Sequence, residues 1–229
     1  MKHFRNLPNY DEMVEKWLNN YDRANYGKGL SATVLRKTHA LIEQPFGPET
    51  NFSQVLEVGA GTLAHLPFVR HKYDRYLASD FDQKVLDVAA NSPAIGDRVE
   101  LLKLDSRTLP FADDTFDRLI ATHVLEHVPD PHLALAEWVR VVKPGGVISL
   151  LLPCDPGWMW RFGRHFGPRK QAERAGLPYD YYMAREHINS IFNLHEILSF
   201  HFPKRTVSWW PCRVGLPDLN LIYAGNFYV

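Results

Sequence analysis

The sequence predicts an α/β fold in which a mostly parallel sheet is covered by helices on both faces. From residue 52 onward, short apolar runs alternate with stretches of helical periodicity. Parallel neighbours need crossover connections, which helices usually supply. The chain of 229 residues is 45% hydrophobic, which suits one well-buried core. After residue 153 the alternation stops, and two final apolar runs joined by a short turn favour an antiparallel hairpin.

The individual elements follow from this periodicity. Seven strands are predicted at Ser53–Val58, Arg75–Ser79, Val99–Leu104, Phe116–Ala121, Val147–Leu152, Arg205–Trp210 and Leu219–Phe227. Helices are predicted at Thr62–Arg70, Gln83–Ala90, His132–Val142 and Ile188–Phe202. Apolar residues also recur at helical spacing near the N-terminus, which predicts helices within residues 1–50. The first such set comprises Met13, Val14, Trp17 and Leu18.

Charge and composition limit the classes of partner. Lys plus Arg equals Asp plus Glu at 26 each, so no overall field attracts nucleic acid or an anionic membrane. Cys154 and Cys212 lie far apart and form no metal or redox motif, which favours a reducing compartment. The N-terminus has no apolar signal-peptide core, and the longest apolar run, Val147–Leu152, is too short to cross a membrane. We therefore expect a cytoplasmic protein with no nucleic-acid partner and no integral membrane association.

A glycine turn follows the first predicted strand. Gly59-Ala60-Gly61 lets the backbone approach a ligand closely, and N–H groups at the start of a following helix would favour a carboxylate or phosphate. The segment also satisfies the G-x-G-x-x-G/A pattern of dinucleotide-binding proteins. Asp80 ends the second strand, where either class of cofactor needs a partner for its ribose hydroxyls. The turn alone therefore leaves both a dinucleotide and a sulfonium nucleoside open.

Residues 55–152 carry five features in a characteristic order: Glu57 before the glycines, Asp80 after strand two, Asp105 with the following segment 109–117, the segment 123–130 (HVLEHVPD), and residues 143–146 (KPGG) before strand five. With these features the segment resembles class I S-adenosylmethionine (SAM)-dependent methyltransferases with a type 11 methyltransferase domain. Dinucleotide dehydrogenases do not usually carry the last three. The sequence departs from the family at Leu63, where a third glycine is frequent.

The resemblance implies a Rossmann-like, seven-stranded, mostly parallel sheet with an antiparallel last strand and an N-terminal helical extension. It divides the chain into an N-terminal helical cap, residues 1–50, and a SAM-binding domain, residues 51–229, with a variable substrate lid at about 153–187. The implied cofactor is SAM. Its expected contacts are Glu57, Gly59, Ala60, Gly61, Asp80, Phe81, Asp105, Ser106 and His123. Asp80 has an alternative role as the N-terminal cap of the helix that follows it.

Two histidines are candidates for catalysis. His127 follows the fourth strand, and His187 opens the helix after the insertion. Glu126 and Asp155 are further candidates near the ends of the fourth and fifth strands. Methyl transfer from a sulfonium needs a base only when the acceptor is a hydroxyl or a protonated amine. Packing roles for these histidines remain open.

No metal site is predicted. The grouping of His123, His127 and His132 with Glu126 suggests ligands, but helical metal pairs must share one face. Prolines at 129 and 131 interrupt the segment, so that spacing is not maintained.

The composition of the insertion indicates the chemical class of the methyl acceptor. Residues 157–174 interleave aromatic side chains with Arg and Lys, a combination that suits an anionic small molecule or glycan. A solvated loop pinned by its aromatic residues is the alternative. Two other functions remain open: an inactive SAM-binding partner or sensor protein, and an NAD(P)-dependent oxidoreductase.

Overall fold

The computed structural model describes residues 8–16, 30–166 and 168–229. The strands are β1 (Gln54–Val58), β2 (Arg75–Asp80), β3 (Val99–Lys103), β4 (Phe116–Thr122), β5 (Val142–Pro153), β6 (Arg205–Pro211) and β7 (Asn220–Tyr228). The helices are α1 (residues 10–16), α2 (Leu30–Glu43), α3 (Gln83–Ala89), α4 (Pro131–Val141), α5 (Trp158–Phe166), α6 (Pro168–Arg174), α7 (Tyr179–Glu186) and α8 (Ile191–His201).

The strands form one sheet in the order β3-β2-β1-β4-β5-β7-β6. Strands β1 to β5 are parallel, and β7 runs antiparallel to both β5 and β6. The predicted Rossmann-like, mostly parallel sheet with a final antiparallel hairpin is therefore confirmed. The central strands are apolar along most of their length because helices cover both faces; Val55, Leu56, Leu119 and Ile120 are all fully buried.

Local capping sets several helix boundaries. Asp82 precedes α3, and its side chain accepts a hydrogen bond from the Lys84 N–H at 2.9 Å. Ser190 accepts from the Asn193 N–H, so α8 begins at Ile191 rather than at Ile188. Helix α4 begins at Pro131, a favoured first residue because its missing N–H would have no partner there.

The helix predicted at Thr62–Arg70 is wrong. Residues 62–65 form turns, and a single 3₁₀ turn spans Leu66–Phe68. Leu63 has φ +66°, the left-handed conformation that cannot continue a right-handed helix and that glycine adopts more readily. The backbone at Leu63 therefore has the conformation that favours glycine, which is the residue that the resemblance leads us to expect at this position. Burial of the Leu63 side chain, which is 1% exposed, offsets the strain.

The N-terminal helix and the insertion pack together. The insertion contains α5, α6 and α7, and α1 contributes Met13 to a buried cluster with Ala172, Leu177, Tyr179, Tyr182 and Met183. Arg185 lies over the Tyr10 ring at 3.8 Å. Of the residues that predicted the first helix, Trp17 and Leu18 lie outside the described residues. None of the helices in the described ranges is long and apolar enough to cross a membrane.

Candidate active site

The candidate site lies at the carboxyl edge of the sheet, between β1 and β4. The chain order along the sheet reverses there, because β1, β2 and β3 extend to one side and β4 and β5 to the other. Open α/β sheets bind ligands in the crevice that forms at such a switch point. Gly59 follows β1 and His123 follows β4, so both of these predicted residues lie at the crevice.

The glycine turn has the close-approach geometry that the sequence predicts. Gly59 and Gly61 have φ values of +65° and +56°. A Cβ added to Gly59 would collide with Val124, whereas one added to Gly61 would meet no atom within 4 Å. The space beside Gly61 is therefore open to a ligand. The turn is held by two backbone donors: Ala60 N–H to a carbonyl of β2 at 2.8 Å, and Gly61 N–H to Asp80 Oδ2 at 3.0 Å.

The helix N-terminus expected after this turn is absent, since no α-helix follows the turn directly. In its place, Asp80 organises the turn. Its Oδ1 accepts from the Asp82 N–H at 3.0 Å, while its Oδ2 holds Gly61. Burial raises the pKa of Asp80, and these backbone donors act in the opposite direction. The cap of α3 is Asp82, so the alternative role of Asp80 as that cap is wrong. Phe81, which follows it directly after β2, is 69% exposed.

Glu57 lies behind the glycine turn. Its side chain is fully buried, and Oε2 accepts a hydrogen bond from the Tyr76 hydroxyl at 2.7 Å. Burial raises the pKa of Glu57. Its other oxygen, Oε1, has no hydrogen-bond partner among the described residues.

Asp105 and Ser106 lie after β3. The Asp105 carboxylate is bound by Arg107, with Nη2 to Oδ2 at 2.7 Å, and the Ser106 carbonyl accepts from the Trp138 indole N–H at 2.7 Å. The hydrogen bonds from Arg107 lower the pKa of Asp105. A cleft of about 280 Å³ adjoins this segment, lined by Asp105, Arg107, Thr108, Pro129, Asp130, Leu133 and Ala134.

His123 lies at the end of β4 in a strained backbone conformation, with φ +59°. Its Nδ1 lies 3.5 Å from Glu126 Oε1, and its Nε2 has no hydrogen-bond partner within the described part of the chain. Strain of this kind is common at functional sites, where the surrounding structure holds a residue in place.

The four acid–base candidates named from the sequence lie close together, and we call them the open cluster: Glu126, His127, Asp155 and His187. His187 Nδ1 lies 2.8 Å from Asp155 Oδ2, and His127 Nδ1 lies 2.9 Å from the Glu186 carbonyl oxygen. The two imidazole rings meet edge to face, with centroids 4.9 Å apart. The sequence supplied the members, but not the contact between segments 126–127 and 187.

The electrostatics of the open cluster lower the pKa of both Glu126 and His127. Burial acts to raise the pKa of Glu126, but the His123 hydrogen bond and the neighbouring His127 and His187 outweigh it and lower that pKa overall. Desolvation by the surrounding protein lowers the pKa of His127, although 41% of its side chain remains accessible.

Sequence reasoning missed Asn189, which joins the two halves of the open cluster. Its side-chain amide donates to the Leu125 and Val128 carbonyls at 2.9 and 2.7 Å, and its backbone N–H donates to the Glu126 carbonyl at 3.1 Å. These bonds fix the end of the insertion against the segment after β4. The only sequence signal was the proximity of Asn189 to His187.

Prediction from the sequence also missed a second histidine–carboxylate group. We call it the closed cluster, and its members are His39, Glu43, His65 and Arg118. All four side chains are fully or almost fully buried. Glu43 Oε1 accepts from His65 Nε2 at 3.0 Å and from Arg118 Nη2 at 2.7 Å. His39 and His65 join through their Nδ1 atoms at 3.0 Å. Despite the opposing effect of burial, the bonds from His65 and Arg118 lower the pKa of Glu43 to about 2.

Tertiary contacts partly neutralise the basic insertion. Arg164 lies 3.7 Å from Asp155, and Arg169 pairs with both Glu173 and Asp180, at 2.9 and 2.8 Å. Because two of these acids lie outside the basic segment, its linear sequence exaggerates its positive charge.

Comparisons with known proteins identify a methyltransferase domain in this chain. A family profile described as "Methyltransferase domain" matches residues 56–150. A phosphatidylethanolamine N-methyltransferase from Cereibacter sphaeroides is 30% identical over 66% of this chain and 68% of its own length. A demethylmenaquinone methyltransferase from Clavibacter sepedonicus is 36% identical over 42% of this chain, but the match spans only 40% of that relative.

Solved structures show the same fold. The N-methyltransferase NodS from Bradyrhizobium japonicum, in complex with S-adenosyl-L-homocysteine, aligns with a TM-score of 0.63 at 15% identity, covering 96% of this chain and 97% of that one. A SAM-dependent methyltransferase from Thermotoga maritima, described as a possible histamine N-methyltransferase, aligns with a TM-score of 0.62 at 16% identity, covering 95% and 98%.

The fold and the switch-point site define a Rossmann-like methyltransferase. This chain belongs to the class I SAM-dependent methyltransferase family, whose cofactor is S-adenosylmethionine. The residues present fit that cofactor. Space is open beside Gly61, and Glu57 Oε1 and His123 Nε2 are buried polar atoms with no partner among the described residues.

Proposed function

We propose that this protein transfers the methyl group of SAM to an oxygen or nitrogen atom of a small organic acceptor. One observation carries the proposal: the crevice has the glycine turn and Asp80 on its β1–β2 side and the open cluster on its β4–β5 side. A cofactor on the first side would present its reactive group towards an acceptor on the second. The relatives' names point to lipid and quinone acceptors, which are small organic molecules.

On the cofactor side, each predicted residue has a proposed part. Asp80 would bind the ribose hydroxyls through its remaining lone pairs, and the exposed Phe81 ring would flank the adenine. Asp105 and Ser106 would lie near the adenine amino edge. Around the methionine and ribose portion we place Glu57, Gly59, Ala60, Gly61 and His123.

Bound SAM supplies an electrophilic methyl group, and its departure leaves a neutral thioether. The protein therefore needs no acid for the leaving group, and its main task is to align the acceptor and exclude water. We assign that task to His127 and His187. Asp155 orients His187 and the Glu186 carbonyl orients His127, so each imidazole has a fixed ring position on the proposed acceptor side.

The helices of the N-terminal region and of the insertion would cover the acceptor. Met13 of α1 packs on α6 and α7, and the open cluster lies where the insertion returns to the sheet. The packing of α1 supports the proposed cap over residues 1–50 and the lid at about 153–187, whereas α2 packs on the sheet. The ion pairs of Arg164 and Arg169 reduce the positive charge available to an anionic or glycan acceptor, so we favour a neutral small molecule.

We also propose a cytoplasmic location and no nucleic-acid partner. Cys154 is buried, Cys212 is exposed, and both are free thiols, which suits the cytoplasm. The balance of charges gives no reason for a nucleic-acid partner.

The test begins with cofactor binding. Calorimetry on the purified protein should show one SAM or S-adenosylhomocysteine bound per chain. In Asp80→Ala the affinity should fall at least about ten-fold, because one charge-assisted hydrogen bond contributes roughly 1.5–3 kcal/mol. Asp74→Asn, at an exposed carboxylate before β2, should bind like wild type.

Two results would contradict the assignment: no binding by folded wild-type protein, or equal affinity in Asp80→Ala and Asp74→Asn. Transfer of isotope from labelled SAM into a metabolite extract would then identify the acceptor. A protein that binds SAM tightly but labels nothing across a broad panel would instead be an inactive binding partner or sensor.

A further inference from the structure

Three side chains of the open cluster have the composition of a metal site. Glu126, His127 and His187 each offer one ligand atom, and these atoms all lie within 4.8 Å of one another. The set differs from the grouping that the sequence suggested, because His187 comes from the far end of the insertion and the exposed His132 takes no part. Two imidazoles with one carboxylate are a common ligand set for divalent transition metals.

The hydrogen bonds of both histidines prepare them as ligands. His127 donates from Nδ1 to the Glu186 carbonyl oxygen at 2.9 Å, and His187 donates from Nδ1 to Asp155 Oδ2 at 2.8 Å. In that tautomer the lone pair is on Nε2, the atom that would bind a metal. A carboxylate or carbonyl behind a ligating histidine is the usual second shell of protein metal sites, where it fixes the ring and increases its basicity.

Glu126 supplies the negative charge. Its side chain is 2% exposed, and Oε2 has no hydrogen-bond partner among the described residues. Its other oxygen lies 3.5 Å from His123 Nδ1 and 3.9 Å from His127 Nε2. Within the described part of the chain, no Lys or Arg pairs with this carboxylate. Among the described residues, its titratable neighbours are imidazoles, and a bound divalent ion would add the positive charge that a buried carboxylate attracts.

The three proposed ligands are also fixed relative to one another, and one of them, His127, is accessible to solvent. Asn189 joins the segment after β4 to the segment that carries His187 through three hydrogen bonds. His127, with 41% of its side chain accessible, provides a route for an ion from solvent. Preorganisation of this kind lowers the cost of assembling a site from two distant segments.

We propose that Glu126, His127 and His187 bind a divalent transition-metal ion, with Asp155 and the Glu186 carbonyl in its second shell. Three protein ligands leave coordination positions open, as in catalytic zinc sites. An open position would hold the acceptor's oxygen or nitrogen atom, and the positive charge would lower the pKa of an acceptor hydroxyl. The binding of the ion is independent of the proposed methyl transfer, whereas this role toward the acceptor rests on it.

The experiment uses full-length protein, stripped with a chelator and then titrated with Zn²⁺ against a chromophoric competitor. Wild type should bind one Zn²⁺ per chain. In Glu126→Gln and His187→Gln the affinity should fall by roughly 100-fold, and in Asp155→Asn by about ten-fold, as for lost second-shell partners. His132→Gln, an exposed histidine on α4, is the matched control and should bind like wild type. Co²⁺-loaded wild type should show visible absorption bands that Glu126→Gln lacks.

Binding of Zn²⁺ below one equivalent in wild type would overturn the proposal, as would equal affinity in wild type, Glu126→Gln and His187→Gln. Circular dichroism checks that each variant is folded, and calorimetry with SAM on the stripped protein tests the cofactor site separately. If the protein binds SAM but does not bind Zn²⁺, only the metal site is rejected. Zinc binding without SAM binding rejects only the proposed methyl transfer.

Discussion

The closed and open clusters both place histidines around a buried carboxylate, but they balance its charge differently. In the closed cluster, Glu43 is neutralised by Arg118, whose guanidinium also bonds the Ser149 hydroxyl at 2.9 Å and lies 4.5 Å from the centre of the Phe46 ring. In the open cluster, the charged or titratable partners of Glu126 within the described ranges are imidazoles. Both carboxylates keep one oxygen without a hydrogen-bond partner among the described residues, but Glu43 has a guanidinium partner within the folded chain and Glu126 has none there.

Accessibility separates the two clusters in the same way. The closed cluster lies between α2 and the sheet with almost no exposed surface, so it acts as an internal connection. The open cluster lies at the carboxyl edge, and His127 reaches solvent. The comparison teaches that a histidine–carboxylate motif indicates a ligand site only where no internal cation satisfies the carboxylate and a path to solvent exists.

The largest expected effect tests the closed cluster. Glu43→Gln leaves the Arg118 guanidinium buried without its anionic partner, which should lower the free energy of unfolding by about 3–5 kcal/mol. Urea denaturation followed by circular dichroism measures this change. Glu49→Gln, at an exposed position just beyond α2, is the control. A loss below about 1 kcal/mol in Glu43→Gln would show that the pair does not stabilise the fold as described.

The second prediction concerns the decrease in the free energy of unfolding at acid pH, to which His71 and Glu43 contribute. Burial, reinforced by the charge of Arg118, lowers the pKa of His71 from 6.5 to about 4. The unfolded chain therefore takes up a proton as the pH falls through 6.5, whereas the folded chain resists until about pH 4. Stability should decline across this window by about 2–3 kcal/mol from His71 alone. The depressed pKa of Glu43 adds a further loss between about pH 4.5 and 2.

Denaturation curves at a series of pH values check this prediction, with His71→Gln as the comparison. That variant should lose stability less steeply between pH 6.5 and 4 and should keep the Glu43 contribution below pH 4.5. His39, whose pKa burial also lowers, contributes with the same sign in both proteins. Parallel curves for wild type and His71→Gln would contradict the assignment to His71.

The smallest expected effect comes from the open cluster. Glu126→Gln keeps the shape of the side chain and strands no buried guanidinium, so we expect the free energy of unfolding of metal-free protein to change by no more than about 1 kcal/mol. The same denaturation assay therefore gives a direct contrast with Glu43→Gln. Equal losses in the two variants would remove the distinction between the clusters.

The sequence by itself determined the sheet and the glycine turn that meets Asp80 at the crevice. Apolar periodicity and turn residues locate β1 to β5 along the chain, although β5 begins at Val142, five residues before its predicted start. The predicted contacts Gly59, Gly61 and Asp80 lie within one β1–β2 unit, so local chain geometry is enough to bring them together. The helix predicted at 62–70 failed because a leucine occupies a left-handed position, which periodicity does not reveal.

Only the tertiary structure brought the open cluster together. Glu126 and His187 are distant in sequence, and they meet because Asn189 joins the end of the insertion to the segment after β4. The sequence also did not predict that Arg118 pairs with Glu43, because the two residues belong to different elements and meet only in the folded core. Periodicity records which face of an element is buried, whereas contacts between charged groups depend on how whole elements pack, and a linear sequence does not specify that packing.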